Sequence, residues 1–149
     1  MTPPSSLQLL GASTGGIRRH VVTLSDALRE RGADVSIAGP PGVLDGIGTL
    51  DVEIAVAGLG DPHRLPPARR AVRRAAGGRQ LIHAHGLKAA MCSLGGDVPV
   101  VLPVHNLVIR ETDGPAATVL RWVESLVARR AAHVIAVSPA TPERFRGGV

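Results

Sequence analysis

Leu7-Gln8-Leu9-Leu10-Gly11-Ala12-Ser13-Thr14-Gly15-Gly16-Ile17 reads as a short apolar strand running into a glycine-rich loop and then a helix. Ile17, Val21, Leu24 and Leu28 continue it at spacings of four, three and four, which is one face of a helix. Gly32 is a natural stop for that helix. Glycines in such a loop let a ligand approach the backbone closely. The loop N–H groups and the helix N-terminus then attract a phosphate. The same glycines also suit a tight strand-to-helix turn. On the loop alone both readings stand.

Outward from this stretch the pattern repeats. Asp34–Ala38 is a second strand, closed by Gly39-Pro40-Pro41-Gly42. Residues 43–51 are weakly patterned and read as loop, and Val52–Val56 reads as a third strand. Residues 64–76 form a helix with Leu65, Ala68, Val72 and Ala76 on one face and Arg69, Arg70, Arg73 and Arg74 on the other. Gln80–His83 is a fourth strand, Leu87–Leu94 a short helix and Val98–Val104 a fifth strand. Pro115–Arg130 is a helix opened by proline, with Val119, Val123, Leu126 and Val127 as its apolar face. Ala132–Val137 is a sixth strand, and residues 140–146 begin a last helix.

Nearly all-apolar strands alternating with helices mean a parallel sheet covered on both faces. The expected fold is therefore α/β, a doubly wound parallel sheet in one domain, residues 1–149. Ligands of such sheets sit at the C-terminal ends of the strands. Three loops fall there: 11–16, 83–88 and 105–114.

Composition narrows the chemistry. The 149 residues are 44% hydrophobic and 19% charged, which excludes disorder. Phe145 and Trp122 stand alone among Phe, Trp and Tyr, which counts against a nucleic-acid stacking platform. The net charge of +5 favours anionic ligands without naming one. Cys92 is the single cysteine, so there is no internal disulfide and no cysteine metal site. It reads as a small core residue. A reducing, cytoplasmic setting fits, and no apolar run reaches the length of a membrane span.

Several enzyme classes fall away. No Lys-Ser or Lys-Thr follows the glycines, so the loop is not a P-loop. The dinucleotide fingerprint and its acidic residue after the second strand are both lacking. Gly11-Ala-Ser-Thr-Gly15 looks like a short-chain dehydrogenase opening, but that chemistry needs a tyrosine and the chain has none. His83 and His85, two apart on a strand, share a face, and no third metal ligand stands at useful spacing. One of them reads as a buried histidine, and His85 or Lys88 as a cleft residue. His105, just beyond the fifth strand, lies on the ligand side as a donor to substrate or as a base. A loop cap is its plainer reading. Glu111 and Asp113 are too close in sequence for a glycosidase pair and read as solvated surface. His20, His63 and His133 read as structural or surface residues. The arginine face of residues 64–76 reads as a solvated face, with anionic lipid or an anionic acceptor as its candidate partner.

Taken together, the segments resemble the large, mostly retaining glycosyltransferase family of the GT-B fold (group 1, family 4 type). Leu10-Gly-Ala-Ser-Thr-Gly-Gly-Ile-Arg-Arg-His-Val22 resembles its opening. "LSDALRERGADVSIAGP" is similar to its next helix and strand, "LIHAHGLKAA" to its His-x-His strand end, and "PVVLPVHNL" to its strand leading into a histidine loop. "RRAAHVIAVSPATPERF" resembles the segment closing its N-terminal domain. The resemblance spans nearly the whole chain in order.

It implies a Rossmann-like half of a GT-B enzyme. That half is the acceptor side, and the C-terminal nucleotide-binding domain is absent from residues 1–149. Gly15 and Gly16 match the loop that meets the diphosphate of a nucleotide sugar. Arg18 stands beside them where the family usually has a small residue. His105 matches the histidine that reaches the donor sugar at the reacting carbon. His85, Gly86, Lys88 and Asn106 fall on the acceptor cleft. The implied reaction moves a sugar from a UDP- or GDP-type donor to an acceptor hydroxyl, with no metal and no cofactor. The 149 residues alone are expected to be inactive. The alternative is a stand-alone sugar- or phosphate-binding module, or one that pairs with a separate partner. No nucleic-acid partner is expected. Localisation is expected to be cytoplasmic, with peripheral membrane contact through Arg69, Arg70, Arg73 and Arg74.

Overall fold

The structure is a computed structural model and describes residues 3–13, 15–104 and 115–136. The elements run β1 (Ser6–Leu10), α1 (Gly16–Glu30), β2 (Val35–Gly39), β3 (Val52–Glu53), a 3-10 turn (Pro62–Arg64), α2 (Leu65–Ala75), β4 (Leu81–His85), α3 (Leu87–Ser93), β5 (Val100–Val104), α4 (Pro115–Arg130) and β6 (His133–Ala136). The six strands form one sheet in the order β3-β2-β1-β4-β5-β6. Every pairing is parallel. This is the α/β, Rossmann-like architecture expected from the alternation.

β1 is central because its residues can be buried on both sides. All five are buried, and Leu7, Leu9 and Leu10 are fully so. Burial of a leucine side chain stabilises by about 2 kcal/mol. Leu7 and Leu9 pack with Ile82, Ala84, Val100 and Leu102 against α2, α3 and α4. Leu10 and Ile37 face the other way, onto Val21 of α1 and onto Val43 and Leu44. The 43–51 loop is therefore anchored at its start. Asp51 pins its end, accepting from the Ile37 N–H at 2.7 Å and from Arg29 at 2.9 Å.

Three details depart from the sequence pattern. The third strand is only Val52–Glu53. Ile54 leaves the edge of the sheet to bury itself among Ala57, Ala68 and Val72. β4 extends two residues further than its local pattern, because Leu10 of β1 is there to pair with His85. Val119 is 53% exposed, since residues spaced by four drift around a helix and only Val123 and Val127 reach the core. The sheet is not covered equally. Among the described residues α1 alone lies on its face, and Ile135 on the bare end of that face is 46% exposed.

The order of the strands fixes where a ligand can bind. From β1 the chain builds outward to β2 and β3, then returns to build β4, β5 and β6 on the other side. The loops after β1 and β4 therefore part at this reversal and leave a crevice between them. The glycine loop and Gly86 stand at its two lips.

Candidate functional site

The crevice is closed at its floor by backbone. The Gly11 N–H donates to the His85 carbonyl at 3.2 Å, joining the ends of β1 and β4. Above it the glycine loop turns into α1. Gly15 is the residue before the helix, at φ 70° and ψ −130°, a conformation that only glycine adopts readily. Gly16 differs. It is the first residue of α1, its φ is not positive, and a Cβ added there would meet nothing within 4 Å. Nothing in the fold demands glycine at 16. The open space in front of it is where a close-approaching ligand would gain.

The N-terminus of α1 is electropositive and uncapped. No side chain caps it and no acidic residue lies in its first turn. Arg18 lies one turn in. Its guanidinium donates through Nη2 to the Asp45 carbonyl at 2.8 Å, which ties α1 to the turn after β2. Its Nε is buried with no hydrogen-bond partner, and so is the Ser13 hydroxyl of the loop. Buried polar atoms are rarely left so.

β4 supplies the other lip. Gly86 precedes α3 at φ 96° and ψ 161°, a region nearly closed to other residues. His85 is not an open cleft residue. It is 1% exposed, and its Nε2 lies 2.9 Å from the Gln8 amide oxygen. Gln8 Nε2 donates to Ser6 Oγ at 3.3 Å. His83 and His85 do share a face, with ring centroids 4.3 Å apart. His20 of α1 joins them, 6.1 Å from His85. Lys88 is exposed, and its stem crosses Gly58, where an added Cβ would sit 2.9 Å from Lys88 Cγ.

Of the residues expected at the site, Gly15 and Gly16 open α1 after β1, Arg18 follows on α1, and His85, Gly86 and Lys88 stand at the end of β4 and the start of α3. His105 and Asn106 lie outside the described residues. Gln8 and His20 were missed. Gln8 carried a legible signal: an amide between two leucines on a buried strand needs a buried partner. Among the described residues no three His, Cys, Asp or Glu side chains are grouped to hold a metal.

The remaining features are structural. Cys92 is 1% exposed and donates to the Ala57 carbonyl at 3.3 Å. Burial pushes its thiol above the ordinary pKa, outweighing that hydrogen bond and the charge of Arg69. The arginine face of α2 is divided. Arg69 donates to the Met91 carbonyl at 3.0 Å and Arg73 to the Gly95 carbonyl at 2.6 Å, while Arg70 and Arg74 are exposed. A cleft of about 460 Å³, lined in part by Arg73, Gly77, Gly95 and Asp97, lies at the N-terminal ends of β4 and β5, away from the glycine loop.

Comparison with known proteins agrees with the fold. The crystal structure of MurG from Acinetobacter baumannii superposes with a TM-score of 0.64 at 16% identity. The match covers 93% of this chain and 42% of the MurG chain, so the chain spans less than half of that protein's length. No curated protein sequence matches. The family model of Glycosyltransferase Family 4 matches residues 14–149, nearly the whole chain. With a Rossmann-like half of the GT-B fold and this family match, the chain belongs to Glycosyltransferase Family 4.

Proposed function

We propose that these residues form the acceptor-side half of a nucleotide-sugar glycosyltransferase, which moves a sugar from a UDP- or GDP-type donor to an acceptor hydroxyl. The observation that carries the reading is the β1–α1 junction. An uncapped helix N-terminus opens on a glycine whose Cβ position faces free space, beside buried Ser13 and Arg18 atoms that lack partners.

In this reading the Gly15 and Gly16 backbone meets the donor diphosphate, and Arg18 adds a cation beside it. Glycosyl transfer passes through an oxocarbenium-like state and releases a charged diphosphate. Preorganised N–H donors and a fixed cation stabilise that charge as it develops. His105 reaches the donor sugar at the reacting carbon. Gly86, Lys88 and Asn106 border the acceptor, with His85 as a buried wall behind them. A second α/β domain closes the cleft and holds the nucleotide. The 149 residues alone leave the diphosphate open to water and are inactive.

The test assays UDP- and GDP-sugar turnover with the chain alone and with a second domain supplied. No turnover alone and activity when both halves are present is the expected result. Turnover on the order of 1 s⁻¹ by the chain alone overturns the half-site reading. Gly16→Val should then lower turnover of the two-domain enzyme by about 100-fold, as displacement of a positioned phosphate does. Its unfolding curve checks that the fold is kept, since a Cβ at this position meets nothing within 4 Å. Full activity of Gly16→Val removes the loop from the donor site.

A further inference from the structure

Lys88 is the only lysine among the 17 basic side chains of this protein. It is the second residue of α3 and is exposed. Its stem lies in space that two glycines leave open. A Cβ added at Gly58 would stand 2.9 Å from Lys88 Cγ, 3.3 Å from Cδ and 3.2 Å from Cε. A Cβ added at Gly11 would stand 3.9 Å from Lys88 Cβ. Neither glycine has a positive φ, so the backbone does not demand glycine at either place. At position 58 the missing side chain is what makes room for the lysine. A lysine that was only solvated would need no such room.

The stem therefore runs from just past the end of β1, at Gly11, across the loop after β3, at Gly58. Both lie where strands finish, the ligand side of such a sheet. The ion pairs of the described residues, Arg29–Asp26, Arg29–Asp51 and Arg79–Asp34, gather at the other end, where β2, β3 and β4 start. Among the described residues no carboxylate pairs with Lys88, and Asp61, in the same loop as Gly58, does not reach it. Water satisfies an ammonium in an open cleft. When a second domain closes the cleft and water leaves, an ammonium without a counter-charge is costly. The ligand then has to bring that charge.

We propose that Lys88 selects an acceptor bearing an oxyanion, a phosphate monoester or a carboxylate, and that Gly58 sets where its ammonium stands. This inference rests on the glycosyl-transfer reading and names the class of acceptor. A neutral hydroxyl would accept a hydrogen bond from the ammonium but leave its charge uncompensated. Arginine would bring a planar fork, whereas lysine delivers a compact charge on a thin stem that passes over Gly58.

Because the chain has one lysine, isotope-labelled lysine gives a single set of side-chain signals in the NMR spectrum. The full chain is titrated with glucose 6-phosphate, glucuronate and glucose at constant ionic strength. The Lys88 signals should move with the phosphate or the carboxylate and not with glucose. A response to one anion alone names the group. Lys88→Gln, followed through the backbone amides, should weaken that binding about tenfold, the worth of one charge-assisted hydrogen bond. Gly58→Ala keeps the charge and displaces the stem, so it should weaken binding by a smaller factor. UDP, titrated separately, should move the Gly15 and Gly16 amides and leave Lys88 unmoved. No movement of Lys88 with either anion, or unchanged binding in Lys88→Gln, overturns the proposal while leaving any UDP binding at the glycine loop intact. Displacement of glucose 6-phosphate from Lys88 by UDP also overturns it, since the charge would then serve the donor. A Lys88 response without UDP binding upholds the anion site and removes the donor reading.

Discussion

On the face covered by α2, α3 and α4, the strands β1, β4 and β5 present Leu7, Leu9, Ile82, Ala84, Val100 and Leu102. On the face toward α1, the same β1 and β4 present Ser6, Gln8, His83 and His85, beside the apolar Leu10. The backbone is shared and the residues alternate, so one sheet carries two chemistries. The aliphatic face packs against three helices and holds the larger of the two buried clusters. The polar face is buried too, but it is held by directed hydrogen bonds and leads up to the crevice. A strand with period two can thus build a scaffold with one alternate set of residues and carry polar groups on the other, as β1 does with Leu7 and Leu9 against Ser6 and Gln8.

If this division is correct, adjacent residues on β1 should respond differently. Leu9 is fully buried on the aliphatic face. Leu9→Ala should cost about 3 kcal/mol of stability through lost burial and the cavity left behind. Gln8→Leu keeps the volume and removes the hydrogen-bond partner of His85 Nε2. It should cost less, about 1–3 kcal/mol, from a ring nitrogen left buried without that partner. Urea unfolding of both variants checks the order. The double variant Gln8→Leu, His85→Leu should cost less than the sum of its singles, because the two side chains share one hydrogen bond. Strict additivity would mean that the polar face is not a connected network.

The alternation of strands and helices was readable because each element is set by its own local period. What failed needed a distant neighbour. Nothing within Gln80–His83 shows that β1 stands ready to pair with His85, so β4 looked too short. Val52–Val56 has a strand pattern, yet at the sheet edge Ile54 gains more by turning into the core under α2. Val119 fits an apolar spacing of four, but whether it reaches the core depends on where α4 is laid down. Cover on both faces was inferred from apolar strands, and among the described residues α1 alone covers one of them, with Ile135 46% exposed there. The lips of the crevice were legible for a simpler reason. Gly15 and Gly86 both have positive φ at a strand-to-helix turn, and that requirement is written in the residue itself.

The smallest effect tests how complete the polar face is. Ser25 of α1 is fully buried, and its hydroxyl has no hydrogen-bond partner. It stands on the helix between Val21 and the sheet-facing side of Leu28, where an apolar residue would serve the fold as well. A buried hydroxyl without a bond is destabilising, so Ser25→Ala should raise stability by about 1 kcal/mol. Gln8→Leu, on the same side of the sheet, should lower it. The contrast matters because both substitutions remove a buried polar group. Only the one that breaks a formed hydrogen bond should destabilise. A loss of stability in Ser25→Ala would mean that this hydroxyl is bonded in solution, and the polar network would then extend from the strands into α1.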